Sequence, residues 1–128
     1  MKRWFLLFSI ALALGCGDST TPKSIAGTYV LVSIEGKPIP VTWVYEGDTL
    51  VTWTGGSFTL SGDRFYSHSI KGYDYYEDAE FEGVETGTYT RTGNSLTLTP
   101  NDGRDPYPAE INGRKFTRGG STWVYEKQ

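Results

Sequence analysis

The sequence of residues 87–99 is Gly-Thr-Tyr-Thr-Arg-Thr-Gly-Asn-Ser-Leu-Thr-Leu-Thr, and it gives the clearest indication of the fold. Leu96 and Leu98 alternate with polar residues, so an extended chain has one apolar face and one polar face here. The Gly93-Asn94 pair is typical of a tight hairpin, because the central residues of such turns need positive φ. The stretch therefore predicts two antiparallel strands joined by a short turn.

The same pattern of short strands between turn residues continues through most of the chain. Aromatic residues make up 15% of the sequence and include nine tyrosines, and aromatic and β-branched residues favour strands. Further turn signals lie at Glu35-Gly36-Lys37, Gly55-Gly56, Gly62-Asp63, Asp102-Gly103, Asn112-Gly113 and Gly119-Gly120. We predict an all-β domain, an antiparallel meander of 8–10 strands closing into a small barrel, because closure removes exposed sheet edges. A two-sheet β-sandwich is the alternative.

The composition excludes several classes of protein. A chain of 128 residues suggests one domain. The net charge is −3, and the sequence has no basic stretch of the kind that would indicate a nucleic-acid-binding protein. One cysteine and one histidine exclude an internal disulfide and a Cys/His zinc site. With no nucleophile–base motif in the sequence, we expect no enzyme activity and no cofactor.

The first fifteen residues have the pattern of a secretion signal. Lys2 and Arg3 precede an apolar run over residues 4–14, which Ser9 alone interrupts. As a helix this run would reach about 16 Å, roughly half the hydrocarbon core of a membrane. It is therefore too short for a stable transmembrane anchor but fits the apolar region of a signal peptide.

The end of the signal resembles the lipobox of bacterial lipoproteins. Leu12-Ala13-Leu14-Gly15-Cys16 places small residues before a cysteine, and a polar, Pro-containing stretch follows. The resemblance implies that residues 1–15 are removed, that Cys16 is acylated, and that residues 16–26 form a flexible tether. The Ala11-Leu12-Ala13 sequence offers an alternative cleavage site, which would release a soluble secreted protein.

Lipidation at Cys16 implies a location and a partner. Acyl chains contribute about 0.8 kcal/mol per buried CH₂, so several chains hold a domain on a membrane. The resemblance thus implies a lipid-anchored protein of the bacterial cell envelope with the membrane as its partner. Gly17 stands where aspartate would mark retention in the inner membrane in that family, which favours the outer membrane.

The predicted barrel over residues 27–128 resembles lipocalin-like domains of small bacterial lipoproteins. The first matching stretch, residues 27–40, has a glycine, an aromatic residue and then alternating apolar residues. The others are two inner strands at 87–90 and 95–99 and a closing strand at 123–127. The resemblance implies a barrel that carries a small apolar ligand. The alternative is a structural or protein-interaction lipoprotein without a small ligand.

Aromatic residues are the candidates for ligand contact at the mouth of such a barrel. They could form a stacking platform or a lid there, and packing in the core or rim is the alternative. The candidates are Trp43, Trp53, Tyr73, Tyr75 and Tyr76.

Residues 64–70 alternate like a strand and contain the single histidine. Tyr66 and His68 share one face, and Ser67 and Ser69 share the other. We interpret His68 as an exposed or hydrogen-bonded strand residue rather than a general base or metal ligand. Ser67 and Ser69 lining the interior would favour a ligand-binding barrel.

An acidic segment over residues 73–85 carries six carboxylates and no basic residue. In a strand, Asp78, Glu80 and Glu82 point one way, as on a solvated face. A calcium site or a partner contact is the alternative reading of this segment. Residues 101–105 could also mimic a calcium loop, although a hairpin turn explains them without a metal. We predict no metal site.

Overall fold

The computed structural model describes residues 24–128 except 46–48 and 120–121. The predicted signal peptide and Cys16 lie outside the described residues. In the part of the chain that is described, no helix is sufficiently long and apolar to cross a membrane.

The described chain is all-β, as predicted. Gly93 has a φ of 59°, and the turn it forms joins two strands at the predicted position. The strands are β1 (Gly27–Ile34), β2 (Lys37–Pro38), β3 (Val41–Tyr45), β4 (Thr49–Leu60), β5 (Phe65–Asp74), β6 (Ala79–Thr92), β7 (Ser95–Pro100), β8 (Tyr107–Asn112), β9 (Lys115–Arg118) and β10 (Trp123–Lys127).

Eight of these strands form a closed antiparallel barrel, which confirms the predicted meander and not the sandwich. From β4 to β10 each strand pairs with the next along the chain, and β10 pairs with β1. The barrel closes because β1 also pairs with β4, from Gly27 opposite Leu60 to Val30 opposite Ser57. The short strands β2 and β3 extend the sheet beside β1 and β4.

The two ends of the barrel differ in how tightly side chains pack in the interior. We call the end with the turns at 61–64, 93–94 and 113–114 the closed end, and the opposite end, with turns at 75–78 and 101–106, the mouth. Towards the closed end, inward-facing aromatic rings occupy the interior. Phe58 lies 4.5 Å from Phe116 and 5.0 Å from Tyr125, measured between ring centroids. These three side chains and Tyr29 have no exposed surface.

The packed region begins before the first strand. Ile25, which the sequence assigns to the end of the tether, is buried in the core. The Tyr29 hydroxyl donates a hydrogen bond of 2.7 Å to the Ile25 carbonyl and holds this segment against the closed end.

The turn predicted at Gly55-Gly56 is wrong, because both glycines lie inside the twelve-residue strand β4. The register between β4 and β5 shifts between Trp53 and Gly55, which is a β-bulge. A Cβ atom on Gly56 would lie 3.0 Å from the Ser69 carbonyl oxygen. These glycines therefore serve a bulge and a close backbone approach, which sequence patterns do not separate from a turn.

Candidate functional site

A pocket of about 330 Å³ lies at the mouth of the barrel. Residues of β4, β5, β6, β9 and β10 line it, among them the exposed Val84 of β6, together with the loop between β7 and β8. The lining includes Trp53, Trp123, Ile70, Glu85, Arg104 and Arg118, with His68 at its inner end. We call this site the mouth pocket.

Three aromatic side chains from distant parts of the chain meet at the mouth. Trp53 packs edge-to-face against Phe81, with ring centroids 5.4 Å apart, and against Trp123 at 5.2 Å. Gly72 allows this arrangement, because a Cβ atom there would overlap the Phe81 ring. Trp53 and Trp123 give the mouth pocket an apolar wall of the kind that ligand sites use, whereas Phe81 lines a separate groove.

His68 closes the inner end of the pocket. Its ring stacks on Phe58 at 4.0 Å, and Nε2 lies 2.9 Å from the Tyr125 hydroxyl. Burial, with Arg118 adding to it, lowers the pKa of His68 to about 4. The imidazole is therefore neutral at pH 7, and it is the hydrogen-bonded strand histidine that the sequence indicated.

Glu85 is the buried charge of the site, with only 8% of its side chain exposed. Its carboxylate accepts a hydrogen bond of 2.8 Å from the Tyr66 hydroxyl and another from the Tyr107 hydroxyl. Arg104 approaches the other carboxylate oxygen at 2.5 Å and is itself paired with Asp102 at 2.7 Å. Every carboxylate oxygen of Glu85 therefore already has a donor.

Arg118 completes the polar side of the pocket. Its guanidinium lies over the Tyr107 ring, 4.7 Å from the centroid, in a cation–π contact. Burial and the hydrogen bond to Glu85 raise the pKa of Tyr107, and the same causes raise the pKa of Tyr66. Both phenols therefore stay protonated and donate to Glu85.

The structure does not gather the five predicted ligand-binding aromatics into one pocket. Trp53 lines the mouth pocket, and Trp43 packs against the core beneath Lys37. Tyr73 lies along a separate groove and donates a hydrogen bond to Asp78. Tyr75 and Tyr76 are exposed in the turn between β5 and β6.

Residues 65–70 alternate as predicted, whereas Arg64 precedes β5 and is exposed, and the inward face is the one that carries Tyr66 and His68. Tyr66 and His68 are buried in the barrel, whereas Ser67 is exposed. Ser69 is half-buried, and its hydroxyl lies 3.1 Å from that of Ser57. The larger side chains take the interior because it is apolar and aromatic, so the pocket is not lined by serines.

The carboxylates of the acidic segment point to both faces of strand β6. Glu80 and Glu82 are exposed on β6, as expected of a solvated face, whereas Glu85 points inward. Within residues 24–128, apart from the two gaps, no three His, Cys, Asp or Glu side chains are grouped to hold a metal ion. Residues 101–106 form the connection between β7 and β8.

A larger groove of about 560 Å³ lies outside the closed end, beside Arg91, Arg114 and Lys127. It borders Ser24, the first described residue. The mouth pocket is bounded largely by paired strands, and it is the better-defined site.

Strand parity is the signal that could have identified Glu85. Phe81, Gly83, Glu85 and Gly87 occupy alternate positions of β6, so an inward Phe81 implies an inward Glu85. The site as a whole holds donors and aromatic surface around a small volume, which suits the binding of a small molecule.

Comparison with known proteins agrees with the barrel fold. A family model described as "Lipocalin-like domain" matches residues 25–117. No curated protein and no solved structure matches the chain.

Proposed function

Because this chain belongs to the family of lipocalin-like domains, we propose that its barrel binds a small, largely apolar molecule in the mouth pocket. We further propose that acylated Cys16 anchors the barrel in the bacterial cell envelope. The role is one of binding, without catalysis. The observation that carries the ligand proposal is a pocket of about 330 Å³ with an aromatic wall, set above a packed barrel interior.

The size of the pocket limits the ligand. Ligand sites usually occupy about 300–1000 Å³, so the mouth pocket is at the lower limit. Below it, Phe58, Phe116 and Tyr125 fill the barrel, and a long acyl chain cannot descend between them. The ligand is therefore compact, such as a molecule with one or two rings.

A pocket-filling variant tests the proposal. Gly83 lines the mouth pocket, and a Cβ atom there would contact Ile70 at 3.3 Å, so Gly83→Leu fills the volume. Native mass spectrometry of the full chain, gently extracted from its host, should detect a bound small molecule that Gly83→Leu loses. Thr88→Leu, on the exposed face of the same strand, is the matched control and should retain it. A ligand-free mass for the unmodified chain would favour a structural lipoprotein instead.

The anchor has its own test. Cys16 follows an apolar run and small residues, as in lipoprotein signals, and we propose the outer membrane as its location. Cys16→Ser should move the protein from the membrane fraction to the soluble fraction, and the mass of the mature chain should lose its acyl groups. Retention in the membrane after this substitution would contradict lipid anchoring.

A further inference from the structure

Two grooves lie on either side of the segment that enters the barrel at the closed end. Ser24 and Ile25 border both grooves, whose volumes are about 560 Å³ and about 190 Å³. Cationic side chains line both of them: Arg91, Arg114 and Lys127 in the larger groove, and Arg64 and Arg91 in the smaller one. Among the described residues, no carboxylate lines either groove. We call these two sites the basic grooves.

The cations of the basic grooves contact neutral groups. Arg114 donates a hydrogen bond of 2.5 Å to the Lys127 carbonyl, and the Lys127 ammonium lies 5.8 Å from the centroid of the Tyr29 ring. Within residues 24–128, apart from the two gaps, neither Arg64 nor Arg114 forms an ion pair. These contacts hold the side chains at the closed end and leave their positive charge available to an anion.

The carboxylates nearest to these cations in the sequence do not enter the grooves. Asp63 is exposed in the turn before β5, and Glu126 is exposed on β10, opposite Lys115 of β9. Neither residue lines a basic groove. An anion that approaches along the barrel axis therefore meets the cations of the grooves first.

The mouth has the opposite charge. Five carboxylates lie in and beside the turn between β5 and β6: Asp74, Glu77, Asp78, Glu80 and Glu82. The barrel is therefore polarised along its axis, with cations where the chain enters and an acidic surface at the other end.

The position of the proposed anchor relates this polarity to a membrane. Eight residues, 17–24, separate Cys16 from Ile25, and a fully extended chain of that length spans at most about 29 Å. Ile25 is buried, and its carbonyl accepts the hydrogen bond of the Tyr29 hydroxyl at the closed end. An acylated Cys16 therefore keeps the basic grooves within reach of the lipid surface, but it does not by itself bring them into contact with that surface.

From these observations, and on the basis of the proposed anchor, we infer that the closed end docks on the anionic phospholipid surface of the membrane, with headgroup phosphates in the basic grooves. Guanidinium groups match the geometry of phosphate, and each Lys or Arg near an anionic surface favours contact about fivefold. The same lipids repel the acidic mouth. The mouth pocket therefore opens away from the membrane, and its ligand arrives from the aqueous side.

Two labelled variants measure this orientation. Thr92→Cys places a fluorophore on an exposed position of the closed end that lines neither groove, and Tyr76→Cys places it on the turn at the mouth. Acylation blocks the Cys16 thiol, so each acylated full chain has one reactive thiol. The chains are bound to vesicles of phosphatidylcholine, or of equal parts phosphatidylcholine and phosphatidylglycerol. A nitroxide on a lipid headgroup quenches the fluorophores that lie near the surface.

On the vesicles that contain phosphatidylglycerol, we expect several-fold stronger quenching at residue 92 than at residue 76. The difference should be small on phosphatidylcholine alone, because its headgroup has no net charge. It should also be small on the anionic vesicles at about 1 M salt, where the Debye length is about 3 Å. The salt dependence tests the electrostatic contact without any substitution in the grooves.

A matched pair of charge variants connects the docking to the basic grooves. Arg64→Gln combined with Arg114→Gln removes two exposed cations of the grooves and should lower the ratio of docked to undocked barrels about thirtyfold. Most of the preferential quenching at residue 92 should then be lost. Lys37→Gln combined with Lys71→Gln removes two exposed cations outside the grooves and should leave the quenching unchanged. Melting temperatures show that each variant is folded.

The outcomes separate the docking from the proposed anchor. If the acylated chain binds both kinds of vesicle and the quenching at residue 92 does not depend on phosphatidylglycerol or on the groove cations, the docking is wrong although the anchor stands. If the mature chain carries no acyl groups and binds neither kind of vesicle, the anchor is overturned and the docking with it. An unacylated chain that binds only the anionic vesicles would support the docking and contradict the anchor.

Discussion

The inward-facing positions towards the closed end are large and apolar, whereas those at the mouth are mixed in size and charge. Phe58 and Phe116 contact each other in the first region, and Glu85 and Arg118 surround a pocket in the second. Both regions belong to the same eight strands and follow the same alternation. A single barrel wall can therefore provide a stabilising core and a binding site, and the inward residues decide which one forms at each level.

The largest expected effect is the loss of a ring from the packed region. Phe58→Ala removes a fully buried side chain that contacts three other aromatic rings and His68, and it should cost about 3–5 kcal/mol of unfolding free energy. Urea denaturation measures the loss. Phe65→Ala, on the exposed face, should change stability by no more than about 0.5 kcal/mol. Equal losses for the two variants would contradict the contrast between core and surface.

A smaller effect is expected from pH at the boundary between the two regions. The pKa of His68 is about 4 in the folded barrel and about 6.5 when unfolded, so the unfolded chain binds the extra proton between these values. Stability is full above pH 6.5 and falls by about 3 kcal/mol as the pH drops to 4. The facing groups are Tyr125, Arg118, Glu85 and Arg104.

His68→Gln isolates this contribution from that of the other titrating groups. The stability advantage of the wild type over this variant should shrink by about 3 kcal/mol between pH 7 and pH 4, as measured by urea unfolding. A difference that stays constant over this range would mean that His68 does not titrate with folding.

The wall beside Glu85 should tolerate little added volume. A Cβ atom on Gly87 would overlap the Thr99 carbonyl oxygen and the Tyr66 ring, so Gly87→Ala should cost about 1–3 kcal/mol. Gly55→Ala is the matched control, because its Cβ atom meets nothing within 4 Å. Thermal unfolding compares the two variants. Equal melting temperatures would show that the backbone and the Tyr66 ring move enough to accept a Cβ atom at Gly87.

The smallest effect is expected at the outer tip of the mouth. Tyr76 is 79% exposed, so Tyr76→Ser should change stability by no more than about 0.5 kcal/mol and retain the small molecule that native mass spectrometry detects. Urea denaturation and native mass spectrometry, with Gly83→Leu measured beside it, make the comparison. Loss of the bound molecule, as expected for Gly83→Leu, would show that this turn contacts the ligand and would extend the site beyond the mouth pocket.

Local pattern was enough to predict the fold but not the site. Alternation at Leu96 and Leu98 and the Gly93-Asn94 turn define strands and hairpins without reference to distant residues. The site depends on which residues meet across the barrel, and Trp53 and Trp123 lie far apart in the chain. Their contact follows from closure and register, which alternation alone does not determine.

Glu85 illustrates the second limit of the sequence. It belongs to a run of carboxylates that reads as a solvated face, and for Glu80 and Glu82 that reading is correct. Its burial is sustained by Tyr66, Tyr107 and Arg104, which come from other parts of the chain. Burial of a charge depends on such partners, and composition does not reveal them.

The way β1 divides its pairing has a mechanical consequence for the mouth. Towards the closed end β1 pairs with β4 through four residues, but nearer the mouth it pairs with the two-residue strand β2 instead. The pairing of β1 with β4 therefore closes the barrel at the closed end, and this pairing does not continue to the mouth. Displacement of β2 would break few hydrogen bonds and would widen the mouth, while the four-residue pairing of β1 with β4 keeps the closed end intact. We expect the backbone amides where β1 pairs with β2 to exchange with solvent faster than those where β1 pairs with β4.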